Sequence, residues 1–130
     1  MYKRQAIYEG TRHQRQIGGF MSENSMKNID YLENLTETIK NNAFKDAEFS
    51  YTAKLIGDIE YLSKKIGEEA SEVIIAALSK DKENLKKEAA DLIYHLMVLL
   101  EQGNLSIDDV CGELMRRRGI SGHEEKKSRK

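Results

Sequence analysis

The sequence predicts an all-α fold, a bundle of four to five helices completed by a second copy of the chain. Three observations carry the helical reading, and apolar side chains left off the helix stripes point to the second copy. The 130 residues include no proline and are rich in Glu, Lys, Leu and Ala, a composition that leaves long helices uninterrupted. Apolar side chains recur every three or four positions over two stretches of about twenty residues each. Residues of the kinds that start and stop helices stand between those stretches. At 39% hydrophobic and 33% charged, the chain suits one domain with a modest core.

Residues 1–28 show no helical or strand period, are broken by Gly10, Gly18 and Gly19, and read as a leader outside the domain. The domain is placed at 29–118. Its first helix runs from about 29 to about 41, with Tyr31, Leu32, Leu35 and Ile39 as the apolar stripe. Ser50 is placed to cap a short helix that ends at Leu55. A long helix follows from about 58 to about 78, where Ile59, Leu62, Ile66, Ala70, Val73, Ile74 and Ala77 make one broad apolar face. Gly67 lies inside it, at a cost of about 1 kcal/mol against alanine, and hints at a kink or a close approach. After the short connection "SKDKEN", a second long helix spans about 82 to about 102, with Leu85, Ala89, Leu92, Ile93, Leu96, Leu99 and Leu100 facing inward and Gly103 as its stop. Ser106 reads as the N-cap of a last helix to about 117, with Leu105 and Val110 as a hydrophobic staple and Cys111 packed within it. Residues 119–130 read as a mobile charged tail.

The formal net charge of −1 supplies no field that would draw the chain to nucleic acid or to a membrane surface. No apolar run approaches the ~20 residues of a membrane span. The N-terminal stretch lacks the apolar segment of a secretory signal. A single cysteine, Cys111, excludes an internal disulfide and a cysteine zinc cage. A cytoplasmic protein is the expectation.

The chemistry lies in the acids. Glu69 and Glu72 stand three apart on the first long helix, and Glu88 and Asp91 stand three apart on the second. At ~100° per residue, each pair falls roughly 60–120° to the same side of its apolar stripe. The short connection makes the two helices antiparallel neighbours, so packing stripe on stripe brings both acidic pairs to the edge of one groove. Carboxylates about 6 Å apart repel by roughly 3 kcal/mol at an effective dielectric near 20. A cation relieves that repulsion, and a set of hard oxygens suits Mg²⁺, with Mn²⁺ as the alternative. A carboxylate-held Mg²⁺ serves phosphoryl chemistry. Solvated acids paired to Lys65 and Lys87 are the competing account.

The strings "EEASE" (68–72) and "EAAD" (88–91), separated by fifteen residues, resemble the EExxE…ExxD signature of the all-α nucleoside-triphosphate pyrophosphatase superfamily. With "SYTAKL" (50–55), "KKIGEEASEVIIAA" (64–77) and "EAADLIYHLMVLL" (88–100), the chain is most similar to the phosphoribosyl-ATP pyrophosphohydrolases of histidine biosynthesis. The likeness covers roughly residues 31–118 and gives the fold its type. It implies hydrolysis of the α–β phosphoanhydride of a nucleotide substrate, phosphoribosyl-ATP, by a homodimer. It also implies Glu69, Glu72, Glu88 and Asp91 as metal ligands. Glu68 becomes an auxiliary carboxylate that holds a second metal or orients the attacking water, and either Glu68 or Glu69 can serve as base.

A polyphosphate also needs cations. Lys65 shares the acidic flank of its helix and is favoured over Lys64 as a phosphate contact. Lys54 is a second contact, with Ser50, Tyr51 and Thr52 as hydroxyl donors. His95, four residues after Asp91, shares the acidic face and contacts either substrate or Asp91. Tyr94 points away, toward a neighbouring helix or subunit. Two other readings compete: a house-cleaning pyrophosphatase acting on free nucleotides, and a helical interaction module without catalysis.

Overall fold

A computed structural model describes residues 27–129. The predicted leader lies outside the described residues up to position 26. Lys27 precedes a one-turn 3-10 segment, Asn28–Asp30, and the Asp30 carboxylate accepts from the Lys27 N–H at 2.9 Å. That turn runs directly into α1, Tyr31–Ala43. Then follow α2, Tyr51–Ile56, α3, Ile59–Leu78, α4, Lys82–Gln102, α5, Ile107–Arg116, and α6, Gly122–Ser128. The described residues are all-helical, and no helix among them is long and apolar enough to cross a membrane.

Local chemistry explains where the elements start. Asp58, Asp81 and Ser106 each accept from a backbone N–H three residues on, opening α3, α4 and α5. Ser106 and Asp109 close a reciprocal capping box. Ser50 does more than cap α2. Its Oγ accepts from the Ala53 N–H and donates to the Asn42 carbonyl, both at 3.1 Å, so it also ties α2 to the end of α1. Ser50→Ala should therefore cost about 1–2 kcal/mol, read as a lower midpoint in urea at unchanged slope.

The helix ends hold one surprise. The turn between α3 and α4 is closed by Lys80 at φ 57°, and that after α4 by Asn104 at φ 60°. In each, the residue after the left-handed position bonds a carbonyl five residues back: Asp81 to Ala76 and Leu105 to Leu100. These are Schellman closures. Gly103, expected as the stop of α4, keeps an ordinary negative φ, and Asn104, whose short polar side chain tolerates the left-handed region, makes the turn.

The core joins α1, α2, α3 and α4 through Leu35, Ile39, Leu55, Leu62, Tyr94, Met97 and Val98. The most extensive packing is α3 against α4, as the short connection requires. Its orientation differs from the expectation. The buried side chains of α3 are Leu62, Glu69 and Ala76, and those of α4 include Glu88, Asp91, His95 and Val98. The face turned inward is the acidic flank. Much of the apolar stripe faces out instead, with Ile59, Ile74, Ile93 and Leu96 exposed. Residue period identifies which side chains share a face but not which face meets the neighbouring helix.

Three smaller readings are corrected. Gly67 marks neither kink nor close approach, because α3 is continuous through it and a Cβ there would meet nothing within 4 Å among the described residues. Cys111 is exposed rather than packed. The tail carries α6, opened by a capping box between Ser121 and Glu124, a Ser-x-x-Glu signal present in the sequence and overlooked.

Candidate active site

The seam between α3 and α4 gathers three carboxylates. Glu69 is 2% exposed, Asp91 3% and Glu88 6%, and one oxygen from each lies within 4.8 Å of the others. Glu88 and Asp91 reach this seam because they are three apart on one helix, and Glu69 meets them from the antiparallel neighbour. Buried acids at this density cost a fold heavily unless something positive joins them.

Glu72 stands at the rim, exposed, one turn after Glu69. A hydrogen bond with Glu88, then its own desolvation and the charge of Glu69, push its carboxyl up to about 7. The folded chain thus holds that proton more tightly than the unfolded chain does. Stability gained from the held proton is present at low pH and lost as pH rises from about 4.5 to about 7. In chelator, the melting temperature should fall across that window, and Glu72→Gln should flatten the fall.

One cation borders the acids among the described contacts. Lys65 Nζ lies 3.3 Å from Glu68 Oε2 and 4.0 Å from Glu69 Oε1. Partial burial works against its charge, but the hydrogen bond to Glu68 and the charges of Glu68 and Glu69 outweigh it and raise the lysine pKa. Glu68 itself is exposed. Lys54 is exposed, with Nζ 5.5 Å from the centre of the Tyr61 ring, a cation–π contact that steadies an otherwise free chain.

The three hydroxyls of "SYT" have partners inside the fold. Ser50 is the cap described above. Thr52 Oγ1, buried, lies 2.6 Å from Tyr94 Oη. Tyr51 Oη lies 3.0 Å from His95 Nε2, and His95 Nδ1 lies 2.7 Å from the main-chain carbonyl of Asp91. His95 is fully buried, so it meets the Asp91 turn rather than solvent. Burial raises the Tyr51 hydroxyl pKa, with Tyr61, Tyr94, Glu69 and Asp91 adding to it, and Tyr51 keeps its proton. Tyr94 packs against α2 of its own chain, stacked on Tyr51 at 6.4 Å.

Of the residues singled out in the sequence, the fold therefore unites Glu69, Glu88 and Asp91, puts Glu72 and Lys65 at their edge, and joins Tyr51 to Asp91 through His95. It places Ser50 and Thr52 in the scaffold beneath. Sequence reasoning missed Tyr61, and it set Tyr94 against a neighbouring helix without naming its hydroxyl partner. Tyr61 sits one turn before Lys65, a spacing that flags it as a neighbour. Nothing local announces the bond between Thr52 and Tyr94, forty-two positions apart.

Buried carboxylates converging between two antiparallel helices, with Lys65 alongside, fit the class of α-helical proteins that hold a divalent cation beside a phosphate-bearing ligand. The comparisons with known proteins narrow the class. The model of the phosphoribosyl-ATP pyrophosphohydrolase family matches residues 32–118. A phosphoribosyl-ATP pyrophosphatase of Dechloromonas aromatica is 47% identical over 105 residues, covering 80% of this chain and 97% of the relative. One from a Caulobacter species is 43% identical over 103 residues, 79% of this chain and 96% of the relative. One from Zymomonas mobilis is 49% identical over 83 residues, 63% of this chain and 78% of the relative. The chain belongs to the phosphoribosyl-ATP pyrophosphohydrolase family.

Proposed function

We propose that the chain hydrolyses the α–β phosphoanhydride of phosphoribosyl-ATP, giving phosphoribosyl-AMP and pyrophosphate, as an early step of histidine biosynthesis in the cytoplasm. The observation that carries this reading is the buried triad of Glu69, Glu88 and Asp91 within 4.8 Å, in a chain of this family.

The donor set fits a hard divalent cation. All three groups are carboxylates, with no imidazole or thiolate to favour a softer metal, and they present converging oxygens of the kind Mg²⁺ takes. Glu69, Glu88 and Asp91 would hold it, Glu72 would join them from the rim, and Mn²⁺ would be accepted in its place. When bound, such an ion draws electron density from the phosphate oxygens of the substrate.

The remaining work falls to the chain's own side chains. Lys65 and Lys54 offer positive charge to the polyphosphate. Ser50 and Thr52 fix the short helix that carries Lys54. Glu68, exposed beside Lys65, orients the attacking water and takes its proton, with Glu69 as the second carboxylate able to do so. One water is consumed: its oxygen bonds to one phosphorus as that phosphorus loses the bridging oxygen, which leaves with the other product, and the protons of the water pass to the carboxylate base and the products.

The outward apolar face of α3 and α4 supports a homodimer. Ile59, Ile74, Ile93 and Leu96 lie on two packed antiparallel helices, a surface that a second copy can cover with its own.

The test is pyrophosphate release from phosphoribosyl-ATP against a panel of ordinary nucleoside triphosphates, with Mg²⁺ and with chelator. The reading predicts turnover confined to phosphoribosyl-ATP and lost in chelator. Equal turnover across the panel would assign a house-cleaning pyrophosphatase instead. No release from any substrate would leave a helical interaction module.

A further inference from the structure

Tyr61 begins the flank of α3 that carries Lys65 and Glu69, one and two helical turns further on. Its side chain packs against the buried cluster of the core, which restricts the directions open to the ring. From α2, Lys54 reaches over that ring, with Nζ 5.5 Å from its centre. The contact therefore brings a cation from α2 to the acidic side of α3. Lys54 is otherwise exposed, and an exposed lysine carries side-chain entropy that any ligand fixing it must remove.

The two lysines differ in what holds them. Lys65 Nζ lies 3.3 Å from a Glu68 oxygen and 4.0 Å from a Glu69 oxygen, so a phosphate competes with carboxylates for its charge. Among the described residues no ion pair engages Lys54. An aromatic face attracts a cation through the ring quadrupole and leaves the charge whole. We propose that Tyr61 is a positioning residue, whose ring holds the Lys54 ammonium un-neutralised on the acidic flank of α3, ready for the polyphosphate. This rests on the proposed function, in which Lys54 offers its charge to that group. The ring removes part of the lysine's freedom before the substrate arrives, so less is lost on binding. It holds Lys54 alike before and during the reaction, so it acts on affinity and not on the chemical step. The phenol hydroxyl has no part in it, because a phenylalanine ring offers a cation the same face.

The experiment compares wild type, Tyr61→Phe, Tyr61→Met, Lys54→Met and the double variant Tyr61→Met/Lys54→Met. Methionine removes the ring and still fills the edge of the core with a flexible apolar chain, and Tyr61→Leu is the second ring-free variant should Tyr61→Met fold poorly. Three quantities are read: steady-state constants with phosphoribosyl-ATP, the dissociation constant of inorganic pyrophosphate by calorimetry in Mg²⁺, and the ¹H–¹³C signals of the lysine methylenes. The Lys54 signals are identified by their loss in Lys54→Met. The proposal expects the Lys54 Hε protons upfield, shifted by the ring current, in wild type and Tyr61→Phe, and at the ordinary lysine position in Tyr61→Met. In Tyr61→Met, KM and the pyrophosphate constant should rise together, roughly twofold to fivefold, at unchanged kcat. Tyr61→Phe should keep wild-type values, and the double variant should show no further rise over Lys54→Met. An unchanged pyrophosphate constant in Tyr61→Met, a Tyr61→Phe as impaired as Tyr61→Met, a fall in kcat instead of a rise in KM, or rises that multiply in the double variant would overturn it. If wild type releases no pyrophosphate from phosphoribosyl-ATP, the proposed function fails, while the methylene signals and the calorimetry still decide whether the ring holds Lys54 for phosphate.

Discussion

Asp91→Asn is expected to lose about a hundredfold or more in kcat for pyrophosphate release, and in chelator to melt several degrees above wild type. The two effects share one cause. Asp91 is buried with Glu69 and Glu88, their oxygens within 4.8 Å. Unit charges about 5 Å apart repel by roughly 3 kcal/mol at an effective dielectric near 20. Asparagine keeps the shape and removes one charge, which relieves the empty site and weakens the cation's hold on it. Each kcal/mol relieved is worth about 4–8 °C in a domain of this size. Kinetics and a thermal melt with and without Mg²⁺ check both halves, and saturating Mg²⁺ should narrow or reverse the difference in melting temperature. A variant that is merely misfolded would lose activity and stability together.

Ile74→Asp combined with Leu96→Asp is expected to turn a homodimer into a monomer, read by sedimentation velocity. Both side chains are exposed in the chain taken alone, so an aspartate at either position meets water there and leaves the fold intact. Across a twofold interface the same charges are desolvated and, at the isologous contact, face their own copies. Burying a charge without a partner costs several kcal/mol per ion, and each substitution enters the interface twice. Circular dichroism should show unchanged helix content. A wild-type chain that sediments as a monomer would remove the dimer from the account without touching the acidic seam.

Much of this architecture was legible because helices announce themselves locally. Ser50, Asp58, Asp81 and Ser106 sit where the chain needs oxygen acceptors, and the structure opens helices there. The missed α6 carried the same kind of signal in Ser121 and Glu124. The acids were legible too, since spacing alone puts Glu88 with Asp91 on one face and the short turn supplies an antiparallel partner. What spacing could not give was rotation. An apolar stripe reads as the inside only when the chain supplies its own cover, and here the exposed Ile59, Ile74, Ile93 and Leu96 lack one within the described residues. The seam closed instead around Glu69, Glu88, Asp91 and His95, with Leu62 and Val98 as apolar neighbours. The pairings of Tyr51 with His95 and Thr52 with Tyr94 join α2 to α4 over forty residues of chain. Only tertiary packing decides such contacts, which is why the internal partners of the "SYT" hydroxyls could not be read from the sequence.

The central claim is that the buried carboxylates form a cation site. Anomalous scattering from crystals of the full chain soaked in Mn²⁺ tests it most directly. The account predicts a peak between α3 and α4, bounded by oxygens of Glu69, Glu88 and Asp91, and absent in Asp91→Asn. A wild-type map with no peak there, or with Mn²⁺ only on the outer surface, would contradict it.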